Sequence, residues 1–137
     1  MTDDQKRAAL AAEIARGQDA LEEAELLLGA GKLAGAVSRA YYGALHHARA
    51  LLLSVGEEPR THAGLTRLLQ RDFASTRRLA PEVAALLSRL MTFRQDADYT
   101  AEYVFTLAMA QQGIEDARTF IAASRAILLT DGWVTRA

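Results

Sequence analysis

The stretch Arg94-Gln95-Asp96-Ala97-Asp98-Tyr99 gathers a cation, two carboxylates and a phenol. Arg94 continues the apolar spacing Val83, Leu87, Leu90, so on a helix it falls on the buried side. A guanidinium there is costly unless a carboxylate, a phosphate or water meets it. Asp98 stands four residues on, within reach of Arg94 if the helix persists. Two readings stay open: an internal Arg–Asp bridge that fixes the helix end, or a phosphate-facing arginine beside a hydroxyl-bearing tyrosine. The second pair suits an RNA backbone or a nucleotide.

The remaining polar residues of interest lie earlier. Arg39, Tyr42 and His46 are spaced by three and four and share one side of a helix. His46 sits on a mostly apolar helix, where a histidine is more often hydrogen-bonded in the core than catalytic. His47 is expected at the periphery. His62 follows Thr61, a good N-cap, and either closes a helix start or serves a site.

Helices must position all of these. Alanine and leucine supply 48 of the 137 residues, whereas valine and isoleucine together supply nine, and no segment alternates with period two. A first helix over about 3–28 carries Leu10, Ile14, Gly17, Leu21, Ala24 and Leu28 as one stripe, with Glu22, Glu23 and Glu25 toward water. Gly29 and Gly31 stop it, and the short loop makes the next helix antiparallel. A second, over about 33–55, is apolar on more than one face, so it is central or lies against another subunit. A short third helix spans about 62–73, and Pro81 opens a fourth. A fifth over about 106–129 repeats Leu107, Ala110, Ile114, Ala117, Ile121 and Leu128. The sum is a single all-α domain over 1–137, an up-and-down four-helix bundle with an additional short helix.

Several functions are excluded by composition and spacing. Without cysteine there is no disulfide, zinc knuckle or thiol nucleophile. No apolar run is long enough for a membrane span, and the polar start Met1-Thr2-Asp3-Asp4 does not fit a secretory signal, so a cytoplasmic location is expected. Sixteen basic against seventeen acidic residues argue against gripping nucleic acid through bulk charge, though not against a local patch. No Glu-x-x-His occurs, which removes the di-iron bundles, and no His-Glu-x-x-His, which removes the zincins. Gly29-Ala30-Gly31-Lys32-Leu33 lacks the first glycine and the hydroxyl residue of a phosphate loop.

Three motifs, Ser38-Arg39-Ala40-Tyr41-Tyr42-Gly43-Ala44-Leu45-His46-His47-Ala48, Thr61-His62-Ala63-Gly64-Leu65 and Arg94-Gln95-Asp96-Ala97-Asp98-Tyr99, together resemble the HEPN superfamily. The match is to its small stand-alone branch and spans about residues 10–125. The resemblance implies a helical bundle that dimerises. It also implies kinship with metal-independent endoribonucleases, often toxins or antiviral effectors, encoded beside a minimal nucleotidyltransferase partner. No cofactor and no metal are called for. In those nucleases an arginine is followed, after four to six residues, by a histidine, and two copies meet across the dimer.

Arg94 matches that arginine, and Tyr99 occupies the histidine position. A phenol, with an ordinary pKa near ~10, is a poor general base at neutral pH beside imidazole. The leading expectation is therefore a homodimer that binds RNA or nucleotide phosphate through Arg94, Arg39, Tyr42, His46 and His62, with weakened or absent nuclease activity. The first alternative is an active endoribonuclease toxin using Arg94, Asp98 and Tyr99 from two chains. The second is that Tyr99 accepts a nucleotidyl group from the partner enzyme.

Overall fold

The computed structural model describes residues 1–102 and 104–136. Five α-helices follow one another: α1 Asp3–Gly29, α2 Leu33–Ser54, α3 His62–Leu69, α4 Pro81–Tyr99 and α5 Leu107–Thr130. There is no strand among the described residues. The four long helices form the bundle and α3 is the additional short helix, as the sequence predicts.

Local chemistry sets the ends. Thr2 caps α1 through a reciprocal box with Gln5, and Thr61 and Thr106 accept from Gly64 N and Met109 N at the starts of α3 and α5. Gly31, at φ 75°, supplies the left-handed residue that reverses the chain between α1 and α2. The third helix is shorter than its spacing suggests, because residues Gln70–Ala74 open into a π-helical turn. The wider turn carries one extra residue and brings both Phe73 and Ala74 inside.

The second helix is the centre of the domain. It packs against α1, α4, α5 and α3, and fourteen of its residues are buried. Its surplus apolar faces are therefore covered within the chain, which resolves the open choice between a central helix and a subunit contact. Leu107 departs from expectation: placed on the fifth helix's inward stripe by spacing, it is exposed, because it begins the helix beyond the edge of the core. Phe120 is buried instead.

Two mid-helix glycines set the distance between α1 and α2. A methyl group on Gly17 would lie 3.0 Å from the Gly43 carbonyl oxygen, and one on Gly43 would lie 3.2 Å from the Gly17 oxygen. The two backbones touch at this crossing. Glu13, one turn before Gly17, and His46, one turn after Gly43, meet beside it.

Candidate functional site

The fourth helix remains helical through Tyr99 and turns Arg94 inward, where it is 8% exposed. Its guanidinium carbon lies 5.3 Å from the ring centre of Tyr41, 5.9 Å from that of Tyr42 and 5.8 Å from that of Tyr99. Nη1 donates to Asp98 Oδ2 at 3.1 Å, so the intrahelical bridge forms. Nε is buried with no hydrogen-bond partner. Burial opposes the charge, but the Tyr99 hydroxyl, Tyr42 and Asp98 outweigh it and hold the guanidinium above its ordinary basicity. Three aromatic faces and one carboxylate thus stand in for water around the cation.

Tyr41 reads in the sequence only as a core residue, and its ring is indeed buried. Its hydroxyl nevertheless lies 2.7 Å from His62 Nδ1. Burial pushes the Tyr41 phenol up to about 12 against the pull of Arg94, so it stays protonated. His62 is exposed at the first turn of α3. Burial of part of its ring, then the charges of Arg94 and Arg49, hold its imidazole below the ordinary value.

On the far side of Tyr42 a groove of about 380 Å³ runs between α1, α2 and the start of α3. Arg16, Arg39, Tyr42, His46, Arg49 and His62 line it. Arg39 lies over the Tyr42 ring at 5.0 Å and 3.7 Å from the Glu23 carboxylate, and its Nε is buried without a hydrogen-bond partner. His46 Nδ1 lies 2.6 Å from Glu13 Oε2. Burial works to raise the Glu13 carboxyl, but the His46 hydrogen bond and the charges of His46, Arg49 and Arg16 hold it below the usual carboxylate range. The groove is rich in arginine in a chain whose net charge is −1.

The residues singled out in the sequence fall into two neighbourhoods that share Tyr42. Arg94, Asp98 and Tyr99 form the caged cation. Arg39, His46 and His62 line the groove, and His62 joins the two through Tyr41. His47 is not peripheral: it is fully buried, with Nδ1 donating to the Gly43 carbonyl at 2.8 Å and Nε2 unpartnered. It occupies the space that the bare backbone of Gly17 leaves open. Arg49 is a further lining residue that the spacing contains: the steps of three and four through Arg39, Tyr42 and His46 reach it with one more step of three. Glu13 and Arg16 had no such signal, since only the crossing of α1 over α2 brings them to the groove.

The family model for the HEPN domain matches residues 12–127. The chain belongs to the HEPN domain family. A UPF0332 protein of Thermotoga maritima is 30% identical to this HEPN chain over 108 residues, 79% of this chain and 82% of that protein. A protein of Methanocaldococcus jannaschii, named a candidate toxin, is 26% identical over 117 residues, 85% of this chain and 80% of its own. The crystal structure of TT1696 from Thermus thermophilus shares the fold, with a TM-score of 0.75 at 18% identity, covering 87% of this chain and 98% of that one. Both the caged arginine and the groove lie inside the matched HEPN segment. Among the described residues no helix is long and apolar enough to cross a membrane.

Proposed function

We propose that this HEPN protein is one member of a toxin–antitoxin or nucleotidyltransferase-linked pair, works as a homodimer and binds RNA or nucleotide phosphate. Nuclease activity at the Arg94 motif is weakened or absent. The groove carries this reading: three arginines and two imidazoles line one cleft beside a stacking-capable tyrosine, the side-chain set that tracks a sugar–phosphate backbone. The caged state of Arg94 supports the second half, because its charge is already met by Asp98 and three rings. A tyrosine in place of the motif histidine supplies no base at neutral pH. The candidate-toxin name of the Methanocaldococcus relative supports the paired system. Exposed Tyr99, Val104 and Leu107 give the α4–α5 end an apolar surface for a second copy.

Fluorescence anisotropy with a labelled single-stranded RNA tests the binding. Arg39→Glu with Arg49→Glu is expected to abolish it, and unchanged affinity overturns the groove assignment. Light scattering tests the dimer: twice the 14.9 kDa chain mass is expected, and a monomer at micromolar concentration defeats it.

A second reading rests on the exposure of Tyr99, 75%, beside the Arg94 charge. Tyr99 then accepts a nucleotidyl group from the partner enzyme: its phenolic oxygen bonds the α-phosphorus of ATP, pyrophosphate leaves and the phenolic proton passes to solvent. Mixing the two proteins with ATP is expected to add one nucleotidyl mass, lost in Tyr99→Phe. No mass gain removes this reading.

A further inference from the structure

We infer that a cavity opening off the groove selects guanine: a nucleotide phosphate is held at Arg49, and its base enters the cavity, where the Glu58 carboxylate accepts from N1–H and the N2 amino group. The inference rests on the groove being a nucleotide-phosphate site and adds the base that the site selects.

The cavity, about 350 Å³, lies between α1, the last turns of α2 and the connection to α3. Arg49 lines both this cavity and the groove, so the two hollows meet at one guanidinium. That side chain is half-buried, and among the described residues it makes no hydrogen bond and no ion pair. Its donors are therefore left for an acceptor from outside the chain, and a phosphate oxygen fits them. Buried Leu53 and half-buried Pro59 give the cavity apolar surface for the faces of a planar ring.

Three carboxylates line the cavity and two are taken. Glu13 lies 2.6 Å from His46 Nδ1, and Glu57 Oε1 accepts from Arg71 Nη2 at 2.7 Å. Glu58 has no partner among the described residues. Lys6, which shares a second hollow with Glu58, lies over the Trp133 ring at 5.0 Å instead. Glu58 is thus the carboxylate left to meet a ligand, and Arg60 is a second unpaired cation on the same cavity.

A carboxylate only accepts hydrogen bonds. Guanine sets N1–H and the N2 amino group side by side, two donors for two oxygens. Adenine and cytosine offer one amino group beside a ring-nitrogen lone pair, which repels the second oxygen. Uracil offers one N–H between two carbonyls. Guanine alone satisfies the carboxylate on both oxygens, and its O6 can accept from Arg60.

Fluorescence anisotropy with the full chain compares labelled oligouridine strands that carry one central guanosine, inosine, adenosine or cytidine. Wild type is expected to hold the guanosine strand about tenfold more tightly than the adenosine and cytidine strands. Inosine, which lacks the N2 amino group, should fall between them. Glu58→Gln alters an exposed side chain and should bring the guanosine strand down to the level of the others. Attraction of charge alone predicts the opposite, since losing a carboxylate raises the affinity for every strand. Equal affinity of wild type for the four strands, or a Glu58→Gln that tightens all of them, overturns this inference and leaves phosphate binding standing. Free GMP and AMP tell the two sources of guanine apart. Displacement of the guanosine strand by GMP alone supports guanine as a mononucleotide, and a guanosine preference that GMP leaves untouched supports guanine within a strand. Binding of neither strand nor mononucleotide overturns both readings.

Discussion

The Tyr41 hydroxyl lies 2.7 Å from Nδ1 of His62, and the ring that carries it lies 5.3 Å from the Arg94 guanidinium. One buried phenol therefore joins the caged cation to the groove. Part of what depresses the His62 pKa is the charge of Arg94. Arg94→Met, which keeps bulk and removes charge, should raise the His62 pKa toward the ordinary imidazole value. Arg94→Lys should leave it depressed. Following the His62 Cε1 proton by NMR through pH 4–8 checks this. Equal values in the two variants contradict the coupling.

Gly17 faces a fixed neighbour. A methyl group there would lie 2.5 Å from His47 Nδ1 and 2.7 Å from Cε1, and the buried ring is pinned to the Gly43 carbonyl. Alanine improves helix propensity by roughly 1 kcal/mol, but overpacking a core costs about 1–3 kcal/mol. Gly17→Ala should therefore lose up to about 2 kcal/mol in urea unfolding and disturb the Glu13–His46 contact next to the crossing. A more stable variant contradicts the close-approach account.

His47 makes the fold acid-sensitive. Burial, outweighing the hydrogen bond to Gly43, lowers its pKa from the ordinary 6.5 to about 4. The unfolded chain takes up this proton below the ordinary value, and the folded chain refuses it down to about 4. Its contribution is thus intact above pH 6.5 and is lost as pH falls toward 4, by about 3 kcal/mol at most. Urea midpoints at pH 7.5, 6 and 4.5 should fall in that order, more steeply than in His47→Gln. Parallel slopes contradict it.

Arg89 and Asp116 tie α4 to α5 asymmetrically. The carboxylate is buried, accepts from Arg89 Nε at 2.8 Å and Nη2 at 2.6 Å, and also accepts from Gln112 at 2.9 Å. The side chain of Arg89 is half exposed. Removing the arginine strands a buried carboxylate, whereas removing the carboxylate leaves a cation that water can reach. Arg89→Ala should cost about 2–3 kcal/mol and Asp116→Ala about 1 kcal/mol by chemical unfolding. The reverse order contradicts it.

The bundle was legible in the sequence because its apolar residues recur at helical spacing and its stops carry glycine, proline and threonine. Arg94 was legible as an inward cation for the same reason: it continues the stripe Val83, Leu87, Leu90. Its neighbours were legible only where they share its helix, as Asp98 does. The Tyr41–His62 bond and the Glu13–His46 pair were not, because each spans two helices and depends on where they cross. Gly17 and Gly43 mark that crossing, but glycine in a helix says only that something comes near. The peripheral place expected for His47 fails because α2 is buried on several faces, so the residue next to groove-lining His46 still enters the core.

The salt dependence of RNA binding tests the groove most directly. Each phosphate neutralised on a single strand adds about 0.7 to the slope of log Kd against log salt. Binding through Arg16, Arg39 and Arg49 predicts a slope of about 2 for wild type, falling by about 1.4 in Arg39→Ala with Arg49→Ala. A wild-type slope near zero, or one that the double substitution leaves unchanged, contradicts the groove as the place where a nucleic-acid backbone is held.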